Sequence, residues 1–255
     1  MNLSHRLAVA SSLLTSQLRG WAGTASFRPA RKQPALPLVL YDMENCPYCR
    51  LVREALTELD LDAEIRPCPK RGTRFRPEVE QRGGKQQFPY LVDPNTGTEM
   101  FESADIIHYL AKTYEGRARS QRGFKRALAV ASSNAACAAR PTRGYKVRAS
   151  RTPEKPLELF SFESSPYSRL VREVLCELEI PYLLRNTGKG AWTDMGPANF
   201  RDNLFKGPKD TGRNRKILLE RTGHVQVPYL IDPNTGTEMF ESGDIIRYLE
   251  KTYAD

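Results

Sequence analysis

The sequence predicts an α/β protein built from two tandem copies of one unit, each running β-α-β-α-β-β-α around a mixed four-stranded sheet. Three observations carry this. An apolar strand candidate, Leu38 to Tyr41, leads into Asn45-Cys46-Pro47-Tyr48-Cys49-Arg50, after which the period turns helical, with Leu51, Val52, Ala55, Leu56 and Leu59 on one face. Ser165-Pro166-Tyr167-Ser168 and the residues to Glu173 match Cys46 to Glu54 at an offset of 119. Asp232 to Ser242 is identical to Asp93 to Ser103 at an offset of 139, so the second copy carries 20 extra residues, which fall within 188–211.

The elements of the first copy follow in order. A second strand runs from Ala63 to Pro67, then comes the loop from Cys68 to Gly72 and a charged helical stretch that Gly83-Gly84 stops. Phe88-Pro89-Tyr90-Leu91-Val92-Asp93 and Glu99-Met100-Phe101 flank Pro94 to Gly97, a hairpin around a type I turn with Gly97 left-handed. Ser103 reads as N-cap of a last helix carrying Ile106, Ile107, Leu110 and Tyr114. The second copy begins at Leu157. Its insertion, Gly-, Pro- and Asn-rich with Trp192, Phe200 and Phe205, reads as a surface loop, with a flap over the second site as the functional alternative.

Outside the copies the chain is basic. Residues 1–36 hold Arg6, Arg19, Arg28, Arg31 and Lys32 with no acid and read as a disordered transit peptide. Residues 117–156 hold eleven Lys/Arg against Glu154 alone and read as a basic linker with one weak helix. The net charge of +9 therefore belongs to these two segments, and the predicted domains, 37–116 and 157–255, are net acidic. That removes the compositional support for nucleic-acid binding. No run of 18 apolar residues predicts a spanning helix. Five cysteines in 255 residues do not form a secreted disulfide framework, and no second CxxC or suitably spaced histidine makes the first a zinc site, so no metal is expected.

Chemistry is expected at Cys46. A CxxC in a βαβ setting reads as a redox dithiol, and at a helix N-terminus the unpaired N–H groups and the macrodipole favour the thiolate. Pro47 suits the first helical position, and Cys49 lies one turn on. Arg50 and Arg53 add positive potential or form a solvated helix face. Cys68 reads as a buried, inert cysteine, Cys137 as a linker residue and Cys176 as a helix-packing residue.

The CPYC after a first strand, the apolar-Pro step before a third strand and the Glu-Ser step before the last helix together resemble the glutaredoxins and the thioredoxin-like N-terminal domain of glutathione S-transferases. The tandem arrangement, with RPCPK, GGKQQFPYLVDPNTG and VPYL followed by DPNTG, looks most like a plant and algal family of plastid proteins with two such domains. The resemblance implies a chloroplast location, a mitochondrion being the alternative by composition.

It also implies glutathione as co-substrate and glutathionylated or disulfide-bearing proteins as substrates. Cys46 would attack the mixed disulfide and Cys49 would resolve it or wait for a second glutathione. Tyr48 would border the site, and Phe88, before a cis Pro89, would pair its backbone with the cysteinyl part. Glu102 would face the γ-glutamyl ammonium and Ser103 its carboxylate, with Lys70, Arg71 or Arg74 taking the glycyl carboxylate. In the second copy Ser165 and Ser168 replace both sulfurs, while Val227, Pro228, Glu241 and Ser242 are kept. That domain is expected to be redox-dead, a binding or packing domain. Ser165 resembles the serine of some transferase classes, but no all-helical domain is expected here, which argues against conjugation. The alternatives to a thiol-disulfide oxidoreductase are a transferase acting on small electrophiles and a non-enzymatic glutathione-sensing or assembly module.

Overall fold

The computed structural model describes residues 3–119, 122–196 and 207–255. The chain runs α1 (Leu3–Leu18), β1 (Leu38–Asp42), α2 (Pro47–Glu58), β2 (Ala63–Pro67), α3 (Arg76–Gly83), β3 (Tyr90–Asp93), β4 (Thr98–Met100) and α4 (Ser103–Leu110), which a π-helical turn extends over Ala111–Glu115. There follow α5 (Gly123–Ala138), β5 (Leu157–Ser161), α6 (Pro166–Glu177), β6 (Tyr182–Asn186), a short 3₁₀ turn at Trp192–Asp194, α7 (Arg213–Thr222), β7 (Tyr229–Asp232), β8 (Thr237–Phe240) and α8 (Ser242–Tyr253). Both predicted β-α-β-α-β-β-α units are present.

The two four-stranded sheets are halves of one eight-stranded sheet, in the order β4-β3-β1-β2-β6-β5-β7-β8. The join is antiparallel: Ala63 pairs with Leu184, Glu64 with Leu183 and Ile65 with Tyr182. At an offset of 119 this register maps onto itself, so a local twofold axis passes by Glu64 and Leu183. Each half would otherwise leave β2 or β6 as an exposed edge with unpaired N–H and C=O groups. A single apolar cluster runs beneath both halves, from Leu38, Val52 and Ile106 of the first to Leu159, Val171 and Leu249 of the second.

The hairpins do more than turn the chain. Asp93 accepts from Asn95 N–H at 2.9 Å, and its other oxygen accepts from Tyr109 at 2.6 Å and Tyr114 at 2.5 Å. Asp232 repeats this with Asn234, Tyr248 and Tyr253. The aspartate therefore ties the turn to the last helix of its unit.

One expectation outside the copies is corrected. Residues 3–36, expected to be disordered, form α1 and an ordered segment; the basic linker forms the one helix expected of it, α5, and a matching segment. They are the same element. Leu7 to Ser12 and Leu128 to Ser133 are the identical hexapeptide LAVASS, at an offset of 121. The helices cross over between repeats, α1 packing on α6 and α5 on α2, and they also pack on each other. Ser12 donates to Pro166 O at 2.8 Å, and Ser133 donates to Pro47 O at 2.8 Å. Behind them Gly23 and Gly144 both have positive φ, and a Cβ on either would come within 2.8 Å of Glu163 or Glu44. Ser26 N–H then donates to Lys189 O at 2.9 Å and Val147 N–H to Lys70 O at 3.1 Å. The repeating unit is therefore an arm followed by an α/β domain, with the arms exchanged.

Arg50 and Arg53 do not form a solvated helix face, because α2 meets the other repeat there and both are buried. Arg53 donates to Glu163 at 2.9 Å, to Glu44 O at 3.0 Å and, in a very short contact, to Asp42. Its counterpart Arg172 bonds Glu44 at 3.1 Å, Glu163 at 3.0 Å and Ser161 at 2.9 Å. The interface is thus closed by reciprocal buried ion pairs.

Candidate functional site

The sheet topology collects the site at one end. Tyr41, near the end of β1, pairs with Tyr90 at the start of β3, and Leu91 pairs with Met100 at the end of β4. The CPYC loop, the Phe88-Pro89 step and the Glu102-Ser103 step therefore leave the sheet side by side. The Phe88–Pro89 and Val227–Pro228 peptides are both cis.

Cys46 is the N-cap of α2, with Pro47 opening the helix, and its sulfur accepts from Cys49 N–H at 3.3 Å. Its thiol is held below the ordinary cysteine range, chiefly by the hydrogen bond from the Cys49 side chain; burial opposes this, while the N–H groups of Cys49 and Tyr48 and the charge of Arg53 add to it. Cys49 goes the other way. Burial, its bond to Cys46 and the nearby Cys46 and Asp42 charges push its thiol well up. Cys46 is 7% exposed and Cys49 fully buried, with Tyr48 standing at 44% exposure.

Glu102 lies at φ 67 and ψ 110 as N-cap of α4, and its carboxylate accepts from Gln87. That corrects the assignment of Ser103, which opens the helix rather than capping it. Glu241 repeats the backbone angles and accepts from Gln226 at 2.6 Å. A left-handed glutamate is costly, and its appearance at both sites is a local strain of the kind binding sites hold.

The crossed arms supply two side chains that motif reading missed. Arg126 of α5 donates through Nη2 to Ser103 Oγ at 2.5 Å. His5 of α1 lies at the equivalent position, its Nε2 3.2 Å from Ser242 Oγ. The LAVASS repeat was the signal that would have aligned them, since His5 and Arg126 also differ by 121.

In the second site Ser165 takes the place of Cys46 as N-cap of α6, its hydroxyl accepting from Ser168 N–H at 3.2 Å. It is 2% exposed. Ser168 Oγ has no partner among the described residues. A cavity of about 470 Å³ lies between α1, α6 and α8, lined by His5, Glu241, Gly243, Asp244 and the arginines 140 and 247, among others; Ser165 is not in its wall.

Of the residues considered for a glycyl carboxylate, Arg74 is committed to the repeat interface, bonding Leu178 O at 2.8 Å and Glu179 O at 3.0 Å. Lys70 lies 5.5 Å over the Tyr145 ring, and Arg71 occupies a left-handed turn position. Arg76, not considered from sequence, stands 4.7 Å over the Phe88 ring and bonds Pro69 O at 2.7 Å. Cys68 and Cys176 are fully buried thiols pushed well up by burial. Cys137 is no loose linker residue: it is buried on α5, 3.6 Å from Arg50 Nη2. In the insertion Trp192 stacks on Phe27 at 4.7 Å between ring centroids and Asp194 pairs with Arg215 at 2.6 Å. Phe200 and Phe205 lie outside the described residues. Among the described residues no group of three or more His, Cys, Asp or Glu is placed to hold a metal, and no helix is long and apolar enough to cross a membrane.

Each repeat is a thioredoxin-like αβ unit with an N-capping Cys or Ser, a cis-proline step and a Glu-Ser helix start. The sequence matches the family model described as glutathione S-transferase, N-terminal domain, over residues 40–118 and 159–255, and the chain belongs to that family. Three solved structures are similar in part. A Bombyx mori glutathione transferase is 26% identical over 34% of this chain and 39% of its own, with a TM-score of 0.30. A Nilaparvata lugens delta-class glutathione transferase is 26% identical over 33% and 38%, with a TM-score of 0.26. A trimeric Leishmania glutathione transferase is 14% identical over 87% and 68%, with a TM-score of 0.28. This chain thus spans less than two fifths of the two insect enzymes. No curated protein matches it.

Proposed function

We propose that the protein is a glutathione-dependent thiol-disulfide oxidoreductase whose chemistry resides in the first repeat, the second being a redox-dead glutathione-binding or packing domain. The observation that carries this is the asymmetry of the CPYC pair. Cys46 is held toward the thiolate at a helix N-terminus and Cys49 is held as a thiol. In the proposed reaction the Cys46 thiolate attacks the glutathione sulfur of a protein-glutathione mixed disulfide; the protein leaves as thiolate and takes a proton from water. The Cys46-glutathione disulfide is then cleaved by a second glutathione thiolate, giving glutathione disulfide and restoring Cys46. Burial, the leading cause that raises the Cys49 thiol, disfavours its thiolate and so favours this route over resolution by Cys49.

The test is turnover of a glutathionylated peptide with glutathione as reductant. Wild type and Cys49→Ser are expected to turn over and Cys46→Ser to be inert. Equal turnover by Cys46→Ser would sink the assignment. A second reading, transfer of glutathione to small electrophiles, is favoured by one observation: the helix expected in the linker, α5, lies along α2, with Ser133 bonded to Pro47 O next to Cys46. Conjugation of a model electrophile that survives Cys46→Ser would select it.

The location proposed from the resemblance is the chloroplast, with the mitochondrion as alternative. Cleavage after residue 36 would remove the helix that covers α6.

A further inference from the structure

The arms end at the two places where the γ-glutamyl end of a ligand is expected. At the first, the N-terminus of α4 offers its unpaired N–H groups and Ser103, with the Glu102 carboxylate alongside. Arg126 reaches this point from α5. Its Nη2 bonds Ser103 Oγ, but Nη1 is buried with no partner among the described residues. A guanidinium that holds a serine with one nitrogen and leaves the next dry and unpaired is half of a fork; a carboxylate completes it. Among the described residues, neither of the acids around it, Glu102 and Asp105, forms an ion pair with it. At the second site His5 reaches Ser242 from α1, and its ring lies against Gly243, with Cε1 3.5 Å from where a Cβ would stand. The first repeat has Ala104 at that position. The cavity of about 470 Å³ opens beside His5 and Glu241, so the second site has room there.

We propose that Arg126 and His5 receive the α-carboxylate of the γ-glutamyl group at the first and second sites, each site being completed by the helix of the other repeat. This rests on the glutathione reading above and adds to it the residues that select an α-amino-acid end. The alternative, that these side chains only fasten the arms, predicts no dependence on the ligand's carboxylate.

The experiment compares glutathione with γ-aminobutyryl-cysteinyl-glycine, which keeps the amine and lacks the α-carboxylate, by calorimetry on the full chain. Wild type is expected to prefer glutathione at two sites. Arg126→Ala should weaken glutathione about tenfold at one site, as loss of a hydrogen bond to a charged group does, and leave the analogue unchanged; His5→Ala should do the same at the other. Arg126→Lys, which keeps the charge, should fall between and guards against a folding defect. Undiminished glutathione binding by both alanine variants overturns the proposal, as does equal weakening of glutathione and analogue. A wild type that binds neither peptide overturns the glutathione reading and this proposal together, whereas a preference for glutathione that persists in Arg126→Ala and His5→Ala overturns this proposal alone.

Discussion

The two ends of the sheet carry the same site with different atoms at its centre. Cys46 and Ser165 both cap a helix that opens with proline, both accept from the N–H three residues on, and both face a cis-proline step and a left-handed glutamate. Among the differences between them are the two sulfurs, Phe88 against Val227, Ala104 against Gly243, the arm residue Arg126 against His5, and one acid: where Arg53 meets Asp42, Arg172 meets Ser161. The backbone of the first site is therefore kept in the second where both sulfurs are replaced by hydroxyls, while charged groups around the two copies differ.

The largest expected effect lies in the buried ion pairs. Arg53→Ala leaves Asp42 without its counter-ion and takes one arginine from each of Glu44 and Glu163, whereas Arg172→Ala takes the leading one from Glu44 and Glu163 but strands no further acid. Breaking a buried pair from one side costs about 3–5 kcal/mol. Asp42, already pushed up to about 6 by burial despite Arg53, is the extra group stranded in the first case. Urea unfolding should therefore place Arg53→Ala below Arg172→Ala; the reverse order would mean that the two repeats do not share the interface load as their contacts indicate.

Next comes a gain of function. Ser165→Cys with Ser168→Cys, made in a Cys46→Ser background, puts sulfur back onto a helix start of the same geometry, with Arg172 where the first site has Arg53. Turnover of the glutathionylated peptide should return to within about tenfold of wild type, a difference of ~1.4 kcal/mol in barrier. No turnover would show that the second pocket has lost more than its thiols.

Much of this was legible in the chain. The strands and helices of both copies follow from apolar period, from Pro47 and from Gly84, and Glu102 and Ser103 fall where a Glu-Ser step before the last helix predicts. The arms were misread for a physical reason. LAVASS is small and weakly amphipathic, so by composition α1 resembles a targeting segment and α5 a linker, although the hexapeptide repeats. Several of their basic residues are counter-ions of the acidic domains: Arg19 pairs with Glu54 at 2.8 Å, and Arg140 with Glu173 at 2.5 Å. Partner choice across 35 or 33 residues is a tertiary property that no local pattern contains. The same limit hid the burial of Arg50 and Arg53, since a helix face that meets another repeat looks identical in sequence to one that meets water.

The smallest effect tests the asymmetry of the first site itself. The leading cause that lowers the Cys46 thiol is the hydrogen bond from the Cys49 side chain, which stabilises the deprotonated form. Removing that donor removes stabilisation of the thiolate, so the protonated form gains and the midpoint moves to higher pH. Cys49→Ala should therefore shift the pH profile of Cys46 alkylation upward, while Cys49→Ser, whose hydroxyl still donates, should shift it less. The backbone N–H groups of Cys49 and Tyr48 and the charge of Arg53 remain in both variants and still oppose the effect of burial, which limits the upward shift. If Cys49→Ala leaves the profile where it was, the helix N-terminus and Arg53 alone activate Cys46. The serine for which Cys49 is exchanged in the second repeat would then have no bearing on acidity there either.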